Sequence, residues 1–230
     1  MTSTDREVAM GRSLAKQVES ELEPVQDEPL QARVRALGER LVAVCDRREL
    51  LYHFLVVKDD EVNAFSLPGG YVFINEGLLK QTRSDDELAA VLAHEIAHVA
   101  ARHAVKQYES HLGYQLAQLA SLAAAREGQA IRGLGVAFQA TRLAYARQDE
   151  LEADRLAVRY LKTAGFNPNA ILTFLHRLQD LHRDRLRYLP RGIVRPYYAV
   201  THPFVPDRIR AVKEALHGVA DYVDYLNSPQ

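Results

Sequence analysis

The sequence predicts an α+β fold, mainly helical, with a small sheet beside the helical body. Three observations carry that expectation. Segments of strand character are confined between Tyr52 and Ile74. Amphipathic helical patterning precedes them and fills nearly everything after Ser84. And 230 residues that are 47% hydrophobic can bury a substantial core in one domain, taken here as residues 1–230.

From Arg6 to Leu22, charges alternate with Val8, Leu14 and Val18, the pattern of an amphipathic helix. Pro24 and Pro29 interrupt it, and a second helix is expected from Leu30 to Cys45, with Cys45 in the core. Tyr52 to Val57 reads as a strand on which His53 faces solvent or a partner. Val62 to Ser66 reads as a short edge strand, and Tyr71 to Ile74 as another after the Pro68-Gly69-Gly70 turn. The run Ser84-Asp85-Asp86-Glu87 has capping-box form, with Ser84 as N-cap and Glu87 three residues on. Leu88, Leu92, Ile96 and Val99 then make a core-facing stripe at helical spacing. The alanine-rich stretch from Leu112 to Ala146 holds Gly128, Gly133 and Gly135, which suggests a break between two helices. Gly165-Phe166-Asn167-Pro168 ends one helix and starts the next. Pro190 to Pro206, with Tyr197 and Tyr198, reads as a loop overhanging a cleft.

The chemistry-bearing stretch is His94-Glu95-Ile96-Ala97-His98 on the capped helix. At about 100° per residue, the two histidines share one helix face and can reach one ion. Glu95 lies beside them, placed to accept a proton from an activated water. Two imidazoles leave a catalytic zinc one protein ligand short, so a third must come from elsewhere. A third histidine on the same segment, as in HExxHxxGxxH, is excluded because Ala101 and Ala104 occupy the required positions. Glu150 fits instead. It shares a helix face with Asp154, Ala157 and Leu161, and Asp154 is placed one turn on to accept a hydrogen bond from a ligand imidazole. Glu152 projects toward solvent. The bland alternative is a solvated acidic patch pairing with Arg147, Arg155 and Arg159. By the same helical geometry His103 points away from His94, among Leu92, Ile96 and Val99, and reads as a packing histidine.

On these residues the chain resembles the gluzincin metallopeptidases, through HEIAH followed by Glu150-Leu151-Glu152-Ala153-Asp154. The segment from Val62 to Leu78, the run Tyr145 to Glu150, and Thr201-His202-Pro203 with Arg208 are similar to metallopeptidase family forty-eight, of the BepA, Oma and HtpX types. The resemblance implies a zincin-like domain whose cleft runs between the edge strand and the metal helix. It implies one Zn2+ per chain on His94, His98 and Glu150, with Glu95 as general base and Asp154 behind a ligand histidine. Asn63 and Ala64 are implied as the strand that pairs with an extended polypeptide substrate. His202 resembles a family histidine that assists the transition state, or in some members closes the zinc site. Tyr197 or Tyr198 could serve the oxyanion instead. Arg208 resembles the arginine that braces the glutamate ligand. Membrane-spanning helices and a helical-repeat array, present in some family members, are absent from this sequence, so a bare catalytic domain is expected.

The remaining bounds are compositional. A formal net charge of −1 gives no basic footprint for nucleic acid. No 18-residue uncharged apolar run spans a bilayer, although membrane association stays open. The N-terminus lacks signal-peptide form, which leaves a cytoplasmic chain, or a periplasmic or membrane-associated one whose leader is missing. Cys45 is the only cysteine, so no internal disulfide forms. Three functions compete: an active endopeptidase, a latent protease closed by His202, and a non-cutting binding module, which would have no need of Glu95.

Overall fold

The computed structural model describes residues 2–110, 146–188, 202–203 and 205–218. In chain order the elements are α1 (Thr4–Glu21), α2 (Glu28–Val42), β1 (His53–Val57), β2 (Ala64–Leu67), a 3-10 turn (Pro68–Gly70), β3 (Tyr71–Asn75), α3 (Glu76–Leu79) and α4 (Asp85–Ala100). Helical backbone resumes over 103–110 (α5), and α6 (Arg147–Ala164), α7 (Ala170–Tyr188) and α8 (Val205–His217) follow. The α+β expectation holds. The alanine-rich stretch over 112–145 and the loop carrying Tyr197 and Tyr198 lie outside the described residues.

The sheet has the order β1-β3-β2, with β3 parallel to β1 and antiparallel to β2. The period-two alternation sorts its side chains into two cores. Phe54, Val56, Ala64, Val72 and Ile74 face a large cluster built with α2, α4, α6, α7 and α8. Val57, Leu67 and Phe73 face a smaller one closed by Leu14, Ala15 and Val18 of α1. The sheet is thus sandwiched, with the larger helical layer on one side. The outer edge of β1 is sealed by Gln31, whose amide donates to the Val56 carbonyl (2.9 Å) and accepts from its N–H (3.0 Å). The opposite edge strand is β2.

The turn that delivers β3 needs its glycines: Gly69 and Gly70 take φ of 77° and 99°, where a side chain is strained. Pro68 opens that turn with its fixed φ. His53 is exposed and stacks on Tyr71 (4.6 Å between rings), and Cys45 is buried, both as read from the sequence.

Candidate metal centre

Helix α4 starts where its cap dictates. Ser84 Oγ accepts from the Glu87 N–H (3.2 Å), and Glu87 reaches back to the Arg83 N–H (2.7 Å). Three acids in its first turn complement the helix dipole. From Leu88 to Val99 every residue is buried, so His94, Glu95 and His98 sit inside the molecule on a rigid element. Helix α6 packs along α4 and presents Glu150, Ala153, Asp154, Ala157 and Leu161 inward. Glu150 and Asp154 are 0% and 1% exposed, which removes the solvated-patch alternative. Arg147 and Arg159 pair with Asp207 and Asp46 instead. Glu152 points outward, its side chain 52% exposed.

Four side chains from three separate segments converge. His94 Nε2 lies 3.0 Å from His98 Nε2 and 3.5 Å from Glu150 Oε2, and His98 Nε2 lies 3.4 Å from Glu150 Oε1. His202 Nδ1 stands 3.4 Å from His94 Nε2 and 3.1 Å from Glu150 Oε1. All four donors lie within 4.8 Å of one another. A tetrahedral ion with bonds of about 2.0–2.1 Å has ligand-to-ligand edges of about 3.3 Å, so this set fits a small divalent cation.

The surrounding groups are matched to that donor set. Asp154 Oδ1 is 2.9 Å from His94 Nδ1, so the imidazole N–H is held there and Nε2 faces the cluster. Arg208, from α8 and 2% exposed, makes two contacts to Asp154 (2.8 and 2.9 Å) and one to Glu150 Oε2 (3.0 Å). Burial opposes charge on Glu150, yet His202 and Arg208 hold its carboxyl well below the usual carboxylate range. Burial likewise opposes charge on Asp154, and Arg208 and His94 lower it nonetheless. On His94, burial and Arg208 disfavour the proton, but Asp154 and Glu150 outweigh them and its pKa rises to about 9. Burial pushes His98 well below the ordinary imidazole value. The two Nε2 atoms, 3.0 Å apart, are within hydrogen-bond reach of each other.

Glu95 is 1% exposed, and its Oε2 has no hydrogen-bond partner among the described residues. Its Oε1 is 3.5 Å from His202 Nε2, which also lies 3.3 Å from the Ala64 carbonyl at the start of β2. Asn63, just before that strand, is buried. His94, Glu95, His98, Glu150, Asp154, His202, Arg208 and the Ala64 carbonyl therefore gather around one point, and Asn63 precedes Ala64 in the chain.

One sequence reading needs correction. His103 is not a plain packing residue. Helix α4 stops at Ala100, and Arg102 takes a left-handed φ of 59°, so the helical wheel does not extend to 103. His103 is fully buried and swings back until its Nδ1 is 2.9 Å from His98 Nδ1. The helical spacing of the sequence carries no sign of that reversal.

A buried two-histidine, one-glutamate cluster behind a HExxH helix defines a metallopeptidase class of site. Peptidase family M48 matches residues 28–216, and the chain belongs to that family. It is similar to the beta-barrel assembly-enhancing protease of Yersinia pestis, 32% identical over 97% of this chain and 48% of the relative. It is 30% identical to the protein of that name from Escherichia coli strain K12, over 90% of this chain and 43% of the relative. With the mitochondrial metalloendopeptidase OMA1 of Schizosaccharomyces pombe it shares 33% identity over 82% of this chain and 53% of the relative. The chain thus spans about half the length of the curated relatives it matches.

Proposed function

We propose that residues 1–230 form one zinc-dependent endopeptidase domain that hydrolyses peptide bonds in extended or misfolded polypeptides. The observation that carries this reading is the convergence of His94, His98 and Glu150 beside the buried Glu95 carboxylate, whose Oε2 has no partner among the described residues. The relatives' names, a protease and a metalloendopeptidase, support the same reaction class.

His94, His98 and Glu150 would hold the zinc, which when bound supplies Lewis acidity that brings hydroxide within reach near pH 7 (about its bound-water pKa) and polarises a scissile carbonyl. Glu95 takes the proton of the attacking water and passes it to the leaving amine. Asp154 keeps the His94 proton at Nδ1, so that Nε2 offers a lone pair. Arg208 holds the Glu150 and Asp154 carboxylates in register from behind. Ala64 begins the edge strand β2 and Asn63 leads into it, where an extended substrate can add as a further strand and lie along α4. His202 would steady the oxyanion from the Ala64 side, or Tyr197 or Tyr198 would in its place.

A second reading has its own support. His202 Nδ1 stands as a fourth donor to the same point, the arrangement of a closed, latent site opened by movement of His202. Casein cleavage by the zinc-loaded chain and by Glu95→Gln separates the possibilities. Cleavage lost in the variant with metal retained supports the endopeptidase. Metal bound with equal inactivity in both supports a non-cutting module. Activity that emerges only in His202→Ala supports latency.

A further inference from the structure

The two ligand histidines are oriented by different means. His94 Nδ1 meets a carboxylate directly, at Asp154. His98 Nδ1 meets another imidazole, His103 Nδ1, at 2.9 Å. A contact that short between ring nitrogens needs one hydrogen between them. His98 Nε2 faces the donor cluster, 3.0 Å from His94 Nε2 and 3.4 Å from Glu150 Oε1, and serves there through its lone pair. A neutral His98 then carries its hydrogen on Nδ1 and donates it to His103. His103, accepting at Nδ1, carries its own hydrogen on Nε2, which lies 3.3 Å from Glu152 Oε2 and 3.6 Å from Asp149 Oδ1.

We propose that His103 is a positioning residue: with Asp149 and Glu152 it forms a hydrogen-bond relay that fixes the tautomer and ring orientation of His98 for metal binding. The relay rests on the reading of His98 as a ligand. Its geometry depends on the left-handed Arg102, since only that reversal turns His103 back toward α4. Arg102 is held in turn by Glu7 of α1, 2.9 Å from its Nε, and by the Thr2 carbonyl at 2.5 Å. Glu7 is itself fully buried and ion-paired to Arg47 (2.7 Å). The N-terminal helix therefore braces the metal centre from outside the cleft. His103, Asp149 and Glu152 also have their donor atoms within 4.8 Å of one another. A second cation there would need a lone pair on His103 Nε2, and the relay tautomer puts a hydrogen on that atom.

Two measurements on the full chain test this. Zinc affinity is read by chelator competition for the wild type, His103→Phe, His103→Asn and the double variant Asp149→Asn/Glu152→Gln. The phenylalanine variant, which fills the space without accepting a hydrogen bond, is expected to bind zinc about 10- to 100-fold more weakly. The asparagine variant, whose side-chain carbonyl can take the place of Nδ1, is expected to recover most of that loss, and the double variant to show a smaller one. Nitrogen-15 imidazole spectra of the metal-free wild type are expected to show His98 as the Nδ1–H tautomer. Unchanged affinity in His103→Phe, an Nε2–H tautomer at His98, or a second zinc equivalent lost in the double variant overturns the relay. Should the phenylalanine variant not fold, the double variant and the wild-type spectrum decide. A wild type that binds no zinc sinks the metal-site reading, and the imidazole spectrum still judges the relay.

Discussion

At the scale of single residues, the His94 proton makes metal uptake pH-dependent. With a pKa of about 9, His94 is protonated near neutrality in the metal-free chain, while a ligand imidazole must be neutral at Nε2. Zinc binding at about pH 7 should release close to one proton from this residue, and the apparent affinity should fall about tenfold for each pH unit below 9. Calorimetric titration in buffers of different ionisation enthalpy measures that proton, and a buffer-independent heat would contradict it. Arg208 gives a second residue-scale expectation. Removing it leaves Glu150 and Asp154 buried without their cation. Arg208→Ala should destabilise the metal-free chain by about 3–5 kcal/mol, or roughly 10 °C in Tm. Arg208→Lys should recover only part of this, since an ammonium cannot make the planar two-point contact to Asp154. The sequence pattern alone says little about Arg208; its bracing role was legible only through the family resemblance, because an arginine at a helix start has no local mark of burial.

At the scale of elements, the register of α4 decides where the histidines point. Its N-terminus is held from two directions. Glu87 accepts from the Arg83 N–H and from Thr173 of α7 (3.0 Å), and Arg177 of α7 grips both of its oxygens at 2.5 and 2.7 Å. The Arg177 hydrogen bonds lower the Glu87 pKa below its ordinary 4.5, against the opposing effect of burial. A carboxylate depressed in the folded state stabilises above its unfolded pKa, and the contribution is lost as the pH falls through the folded value. Glu87→Gln should therefore cost about 1–3 kcal/mol at neutral pH. The cost should shrink as the pH drops below 4.5, read from denaturant midpoints across the acid range. A difference that stays constant with pH would refute the linkage. The start of this helix was readable from Ser84 to Glu87 because capping is local. Its end was not: the helical spacing of the sequence runs on past Ala100, and the backbone reversal at Arg102, bound to a residue nearly a hundred positions earlier, has no local signal.

At the scale of the whole molecule, the proposed metal ties α4, α6 and the segment at His202 into one unit, and no single element holds the site alone. A ligand bound by the native state and not by the unfolded chain stabilises by mass action, by about 2.7 kcal/mol at a free concentration one hundred times Kd. A chelator should accordingly lower the wild-type Tm, leave that shift intact in Glu95→Gln, and produce little shift in His98→Ala. Scanning calorimetry measures all three. The strands, the capped helix, the His94–His98 pair and the shared helix face of Glu150 and Asp154 were determined by the sequence itself, because periodicity and capping act over one or two turns. Whether Glu150 was a ligand candidate or part of a charged surface depended on what α6 packs against, and only the tertiary structure decided it. The same holds for His103. Its partner was set by a left-handed residue and a buried ion pair that join distant parts of the chain, and long-range contacts of that kind leave no periodic trace in the sequence.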